Sequence, residues 1–480
     1  MFSRIGNCAI LAILFYFLFF YGLTSAGLVG PDEPRYASIG REMARTGDWL
    51  TPKLWGKPWF EKPPLLYWMA GCAFRLGLGE ELAPRLPSAL VSAAFIVFFF
   101  FFLRSEFGGR AAWFAAAILA TSAGWLAYSH ACATDMPMAA MFAAGMLFAM
   151  PWAVRGDGRG LIGSGALFGL AVLAKGLVPL VLAAPVLFLG IRRLWEWRRA
   201  AVVFSLVAVP WYAFSVWKHG RVFVNEFFLR HHFERFAADS LQHVQPFWFY
   251  LPVLVGALFP WSGLLALIFQ RRHCADARTR FFLWWAGWGL VFFSAATNKL
   301  PGYILPLLPP LAALMGIGLS EARRASLWAA SAITFLSLTP LVAAVFPAAL
   351  ASGLSRATIP WNALWLGAPL LLLAAVAART KASQAFLLAS AATVAAVIAL
   401  KTVSLPEVDR VASARPLWKT LARQRDQVCV GRIQRAWRYG LNYYSVLPLP
   451  DCMEQDLPVH LEAAADGRPV VQAASSLKQP

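Results

Sequence analysis

The chain has 480 residues, of which 59% are hydrophobic and only 14% are charged. A mean hydropathy of +0.59 excludes an ordinary soluble globular protein and is typical of a polytopic membrane protein. The net charge of +19 would favour nucleic acid as the partner of a soluble protein, but the arginines collect in short loops between apolar runs, so no nucleic-acid partner is expected.

Apolar runs recur along the whole chain, and the charges beside them predict the topology. Keeping every arginine-rich loop in the cytoplasm requires about thirteen spans, a cytoplasmic N-terminus and an outer C-terminus. We therefore predict an all-α polytopic membrane protein with a small α/β domain at its C-terminus. The membrane domain is expected over residues 1–402, with outer loops at 29–83 and 218–248, and the C-terminal domain over residues 403–480.

The first outer loop contains the stretch "GPDEPRYASIGREMARTGDW". Asp32 stands where a helix N-cap would, Pro34 suits the first turn, and Gly47 follows the last helical residue, so a short helix is predicted. Asp32 and Glu33 then lie at the positive end of this helix, which favours ionised carboxylates. Capping alone would also explain Asp32.

A second charged motif, "WFEKPPLLYW", follows in the same loop. Glu61 and Lys62 precede Pro63 and Pro64, which stiffen the backbone and end any preceding helix. The apolar run after them has only about fourteen residues before Gly77, too few to span a bilayer. We expect this run to lie along the interface and to present Glu61 and Lys62 to the same shallow water layer as Asp32.

The middle of the chain adds polar groups to the predicted outer face. The region from Leu161 to Ile191 consists of two apolar halves broken by "AKGLVP", and predicts either two short spans that meet near Lys175 or one re-entrant hairpin. Lys299 and Tyr303 follow in "NKLPGYILPLLPP". Several cations on one face suit a phosphodiester or diphosphate substrate, although a lysine at the end of a span can also simply snorkel.

The second outer loop carries "HHFERF", with His231, His232 and Arg235. Imidazole together with a carboxylate suits a divalent metal such as zinc, magnesium or manganese. Histidines at a membrane interface can equally be hydrogen-bonded contacts to headgroups.

The C-terminal tail alternates apolar and polar residues in "DQVCVGRI" and "RPVVQAA", which predicts short strands, and has a helical pattern in "ARPLWKTLARQ". Cys429 and Cys452 both fall in this tail. In an oxidising compartment they would form a disulfide.

The ordered motifs "DEPRYASIGREMARTGDWLTP", "KPWFEKPPLLYW", "APRLPSAL", "ATDMPMA", "LAKGLVP", "HHFERF" and "NKLPGYILPLLPPLA" resemble bacterial members of the protein mannosyltransferase family, among them the lipid A aminoarabinose transferases. The resemblance covers about the first 320 residues. It implies a GT-C glycosyltransferase that uses a polyprenyl-phosphate-linked sugar on the periplasmic side of the inner membrane. Trp59, where the aminoarabinose enzymes commonly carry tyrosine, and a shorter tail are departures that leave the sugar and the acceptor open.

The resemblance also assigns roles to residues. Asp32 matches the catalytic aspartate, with Glu33 beside it. The expected substrate and phosphate contacts are Arg35, Tyr36, Lys62, Asp135, Lys175, Arg235, Lys299 and Tyr303. Glu61 matches a residue implicated in metal binding, and His232 or His231 would be the second ligand.

These observations predict an inverting transfer of an aminoarabinose-like sugar or a hexose to a lipid A-type or other periplasmic acceptor, by a protein that acts as a monomer. A transporter or flippase of lipid-linked sugars would also place ionisable residues among its spans, but near the membrane midplane. A non-catalytic scaffold would need no acid beside a phosphate-binding group.

Overall fold

The protein is described by a computed structural model over residues 2–227, 244–464 and 466–473. It is predominantly helical. The α-helices of the first half are Phe2–Phe15, Asp32–Thr46, Leu65–Arg75, Leu82–Phe107, Gly109–Thr121, Ala123–Ser129, Asp135–Arg155, Leu161–Lys175, Val178–Leu182, Ala184–Leu189 and Arg198–Phe223. Those of the second half are Tyr250–Ala257, Arg272–Ala275, Ala277–Ala295, Leu308–Ser320, Ala325–Leu336, Thr339–Ser352, Ala368–Arg379, Ala382–Ala412, Arg415–Leu421 and Arg435–Tyr444.

Shorter helical turns extend or connect these helices. A π-helical turn, Tyr16–Phe20, continues the first helix. The 3₁₀ segments are Gly158–Gly160, Ile191–Trp197, Phe247–Phe249, Trp261–Phe269, Pro301–Leu307, Leu354–Arg356, Trp361–Gly367 and Ala422–Gln427.

The apolar helices make this a multi-pass membrane protein. Within the described residues, six helices are long and apolar enough to cross a membrane, and the number rises to nine if each of three bent helix pairs counts as one span. The thirteen spans expected from hydropathy are not confirmed by this count. Several apolar runs form short helices joined at an angle, such as the pair Phe247–Ala257 and Trp261–Phe269, which meet at 120°.

The predicted break near Lys175 is confirmed. The helix Leu161–Lys175 ends at that residue, and Gly176 has a positive φ of 88° that a residue with a side chain rarely adopts. Helical structure resumes at Val178 and continues in two short pieces to Leu189.

The helix Asp32–Thr46, here called the loop helix, confirms the prediction for the first outer loop. Gly47 ends it in the left-handed conformation, with φ 75°. The cap assignment was wrong: Pro31 occupies the N-cap position, and Asp32 is the first helical residue. Asp32 therefore has its carboxylate available for a contact other than the helix N-terminus.

Two further elements complete this loop. Strands β1 (Lys53–Leu54) and β2 (Lys57–Pro58) form an antiparallel hairpin. Trp55 stands in its turn at a positive φ of 52°. The apolar run after the prolines is the short helix Leu65–Arg75, as its length predicted.

The tail folds around a small sheet. Strands β3 (Val428–Val430), β4 (Val459–Ala463) and β5 (Pro469–Ala473) lie in that order, with β3 parallel to β4 and β4 antiparallel to β5. The strands at both predicted positions and the Cys429–Cys452 disulfide are confirmed. The helix Ala382–Ala412 continues across the boundary predicted at residue 402.

The first outer loop and the tail share a hydrophobic core that is separate from the core of the membrane helices. Buried side chains from the loop helix, from the helix Leu65–Arg75 and from the tail helix, as we call Arg435–Tyr444, pack in one cluster. Its largest members are Tyr36, Tyr67, Trp437, Tyr443 and Tyr444. The tail therefore supports the loop that carries Asp32, which the sequence did not indicate.

Close packing of glycines sets the position of the loop helix. A Cβ on Gly40 would lie 2.9 Å from the Cβ of Ala70 and 3.3 Å from the backbone nitrogen of Gly71, on the helix that follows Glu61 and Lys62. Because backbone atoms cannot give way, only glycine permits this approach.

We expect Gly40→Ala to destabilise the protein by about 1–3 kcal/mol, because the added methyl group overpacks this crossing. Gly287→Ala is the matched control, since Gly287 also lies within a helix but has no atom within 4 Å of its Cβ position. Thermal unfolding in detergent measures both. Equal melting temperatures for the two variants would contradict the packing argument.

Candidate functional site

An arginine at the start of the loop helix organises the charged residues. Arg35 makes an ion pair with Asp32, one turn earlier in the same helix, and with Glu61, whose Oε2 lies 2.9 Å from Nη1. The Nζ of Lys62 lies 3.9 Å from the other carboxylate oxygen of Glu61. Arg35 and Glu61 are buried, whereas the side chain of Asp32 is 51% exposed. The structure thus joins four of the predicted site residues in one centre with an accessible carboxylate.

Aromatic rings enclose the Arg35 guanidinium. Its Cζ lies 5.2 Å from the ring centroid of Tyr36, 5.5 Å from that of Trp59 and 5.6 Å from that of Tyr439. Rings at these distances stabilise a cation through their quadrupoles. Tyr439 belongs to the tail helix, so the tail reaches the charged centre directly.

Burial and charge fix the protonation states in this centre. Burial alone would lower the pKa of Arg35, but the neighbouring Tyr36 and the carboxylates of Glu61 and Asp32 raise it above its ordinary value. Burial, followed by the nearby carboxylates, raises the pKa of Tyr36 and of Tyr67 well above the usual range. Arg35 is therefore charged and both phenols are neutral at physiological pH.

Glu33 has a different position from Asp32, and the structure does not support the predicted catalytic role. Its two carboxylate oxygens accept hydrogen bonds from Nε and Nη2 of Arg85, at 3.0 and 2.8 Å, and from the backbone N–H groups of Val29 and Cys132. Four donors saturate this buried carboxylate. Glu33 holds the loop helix to the membrane domain instead of facing a substrate.

A second polar cluster lies at the ends of the membrane helices. Lys175 makes an ion pair with Asp135, and its Nζ lies 4.6 Å from the ring centroid of Tyr303. The hydroxyl of Tyr128 lies near the same cluster, since a Cβ on Gly302 would contact both this hydroxyl and Oδ1 of Asp135, the latter at 2.8 Å. The three predicted cavity residues, Asp135, Lys175 and Tyr303, are thus brought together.

Lys299 differs from its prediction as a phosphate-binding residue. Its ammonium donates to the backbone carbonyls of Gln245 and Ala296, and the side chain is buried. Burial also lowers its pKa. In this structure the Lys299 ammonium binds backbone carbonyls of its own loop and of a neighbouring segment instead of facing a substrate site.

The metal prediction has incomplete support. His231, His232 and Arg235 lie outside the described residues. Among the residues that are described, Glu61 has two cations beside it, and this environment by itself does not fit a divalent metal. Three metal-type ligands do lie within 4.8 Å of one another in the tail, Cys429, Cys452 and His460, but the disulfide occupies both sulfur atoms.

Sequence reasoning missed several buried ionic contacts. Arg85 binds the carbonyls of Leu23, Ala26 and Gly27 in addition to Glu33. Lys401, buried in the helix Ala382–Ala412, donates to His130 and to carbonyls at the end of the first helix. Both are single charges within apolar runs, and such charges need a buried partner. A charged residue within an apolar run is visible in the sequence, but it does not show which residue is the partner.

Comparison with known proteins identifies the fold. Residues 61–217 match the family model described as dolichyl-phosphate-mannose-protein mannosyltransferase. The crystal structure of ArnT from Cupriavidus metallidurans bound to undecaprenyl phosphate superimposes with a TM-score of 0.77, at 26% identity, covering 99% of each chain. The fold is therefore that of the polytopic GT-C membrane proteins.

Two similar proteins carry the name undecaprenyl phosphate-alpha-4-amino-4-deoxy-L-arabinose arabinosyl transferase. One from Pseudomonas fluorescens is 35% identical over 329 residues, which are 65% of this chain and 56% of that protein. One from Pseudomonas savastanoi pv. phaseolicola is 33% identical over 365 residues, which are 71% of this chain and 68% of that protein. The chain belongs to this arabinosyl transferase family, within the bacterial protein mannosyltransferases. It spans 56% and 61% of the length of the first two relatives that it matches.

We expect Glu33→Gln to destabilise the protein by about 3–5 kcal/mol, because it leaves the buried Arg85 charge without its carboxylate. Asp157→Asn is the control, since Asp157 pairs with Arg159 at the surface. Its replacement should leave the melting temperature nearly unchanged. If Glu33→Gln melted like the control, Glu33 would not be the anchor described here.

Proposed function

We propose that the protein is a membrane glycosyltransferase that moves a sugar from a polyprenyl phosphate to an acceptor at the outer face of the inner membrane. The observation that carries the proposal is the arrangement of Asp32, a half-exposed carboxylate, against the buried cation Arg35. A transfer of this kind uses a carboxylate that takes a proton from the incoming acceptor or orients it. It also uses positive charge that stabilises the departing phosphate. Family membership and the ArnT complex with undecaprenyl phosphate support the same donor class.

The leaving phosphate would bind beside Arg35 and Lys62. The Nε of Arg35 has no hydrogen-bond partner among the described residues and is buried, so a phosphate oxygen would bind it only if the surrounding rings made room. Arg235 is a further candidate from the second outer loop. Fixed positive charge stabilises the negative charge that develops on the phosphate as the glycosidic bond breaks.

Asp32 would act on the other side of the reacting carbon. The acceptor oxygen attacks the anomeric carbon opposite the phosphate, the bond to the phosphate oxygen breaks, and configuration inverts. An acceptor hydroxyl would give its proton to Asp32 as general base. A phosphate acceptor is already ionised, and Asp32 would then orient it and stabilise positive charge on the sugar.

The family favours an aminoarabinose-like sugar and a lipid A-type acceptor, with a hexose or another periplasmic acceptor as the alternatives. The arginine-rich loops support an orientation with Asp32 in the periplasm. A monomer suffices for this chemistry, since one chain provides the whole centre. A divalent metal on Glu61 and His232 or His231 remains a prediction, and no step proposed here depends on it.

We expect Asp32→Asn to reduce the transfer rate by at least about a hundredfold, because loss of a positioned charge or base has that effect. The measurement is release of radiolabelled sugar from a polyprenyl phosphate by purified protein in liposomes with a lipid acceptor. Glu407→Gln is the matched control, since Glu407 is also half-exposed and pairs with an arginine three residues later. Equal rates for the two variants would contradict the proposal. Movement of intact lipid-linked sugar without its hydrolysis or transfer would instead indicate a flippase.

A further inference from the structure

The tail helix contributes one side chain to the charged centre. The ring centroid of Tyr439 lies 5.6 Å from the Arg35 Cζ, and Tyr36 and Trp59 provide the other two rings around the same guanidinium. Tyr36 and Trp59 both come from the first outer loop. Within the part of the chain that the structure describes, Tyr439 is therefore the ring at Arg35 that depends on docking of the tail.

The Tyr439 ring is itself held in place from both sides of the interface. It stacks on Trp55, in the turn of the β1–β2 hairpin, with ring centroids 5.7 Å apart and an angle of 28° between the planes. Within its own helix, Arg435 lies 5.3 Å from the ring centroid and donates to the hydroxyl at 3.2 Å. The ring thus has a fixed position against Arg35, with the hydroxyl directed to Arg435.

The position of Arg35 matters because it joins Asp32 to Glu61. A guanidinium buried next to two carboxylates can shift between them unless its plane is held. An aromatic ring beside it fixes the plane and excludes water from that side.

We infer that Tyr439 is a positioning residue of the transfer site, through which the C-terminal tail holds Arg35 in the geometry that the leaving phosphate requires. This inference rests on the proposed function for its effect on turnover. It assigns the tail a role in the chemistry beyond its contribution to the shared core. The ring, and not the hydroxyl, provides the contact.

A second contact between the same two helices offers a matched control. One turn along the tail helix, the ring centroid of Tyr443 lies 4.3 Å from the Cζ of Arg41. Nη2 of Arg41 also donates a hydrogen bond to the backbone carbonyl of Tyr443, at 2.6 Å. This pair joins the loop helix to the tail helix, and its ion pair and side-chain hydrogen bond among the described residues go to Glu80 and not to Asp32 or Arg35. Tyr443 is fully buried and its hydroxyl also donates to the carbonyl of Glu80, so Tyr443→Leu should weaken helix docking at least as much as Tyr439→Leu.

The first test measures turnover of the polyprenyl-phosphate-linked sugar. Tyr439→Leu should lower kcat about tenfold, the size of a desolvated cation–π contact, with the donor KM little changed. Tyr439→Phe should retain the wild-type rate, and Tyr443→Leu should retain kcat per folded molecule. Combining Tyr439→Leu with Arg35→Lys should cause no further loss beyond Arg35→Lys alone, because both act through one guanidinium. Additive losses, or an equal loss in Tyr443→Leu, would overturn the inference.

The second test does not depend on activity. Arg35 is only 4% exposed, so phenylglyoxal, which modifies accessible arginines, should label it slowly in the wild type. Tyr439→Leu should increase the labelling of Arg35 severalfold, as read by mass spectrometry, while Tyr439→Phe and Tyr443→Leu should not. Unchanged labelling in Tyr439→Leu would overturn the inference. A wild type that labels as expected but turns over no donor would refute the proposed function alone.

Discussion

The site depends on the burial of one positive charge. Arg35 lies almost completely out of water, and an isolated ion in such a position is strongly unfavourable. The protein compensates with two carboxylates from different segments and with three aromatic rings. Because Asp32 begins the loop helix and Glu61 follows the hairpin, neutralising Arg35 requires the first outer loop to fold back on itself.

A second buried pair fixes this loop to the membrane helices. Glu33 and Arg85 satisfy each other, and Arg85 also binds three carbonyls of the chain that leads into the loop. Adjacent acids in the sequence thus have separate tasks: Glu33 provides attachment and Asp32 remains accessible. The shared core with the tail supports the same loop from the opposite side, so the position of Asp32 reflects three independent restraints.

Local features were predictable from the sequence. The glycine that ends the loop helix, the break at Gly176, the tail strands and the disulfide all follow from short-range signals in conformation or composition. The cap at Asp32 was predicted wrongly. An aspartate at the start of a helix can cap the backbone or, as here, pair with an arginine three residues later, and the sequence alone does not distinguish the two. The span count was not confirmed, because hydropathy does not show where an apolar run bends or turns into a 3₁₀ helix.

Long-range pairing could not be predicted. Glu33 and Arg85 are separated by more than fifty residues, and Arg35 and Tyr439 by some four hundred, and nothing in one sequence couples such positions. The most direct measurement of the central claim is an experimental structure of the protein with bound undecaprenyl phosphate. The account predicts the phosphate in contact with Arg35 and Lys62, with the Asp32 carboxylate facing the space beside it. A phosphate bound elsewhere, with the Arg35 centre closed and unchanged, would contradict it.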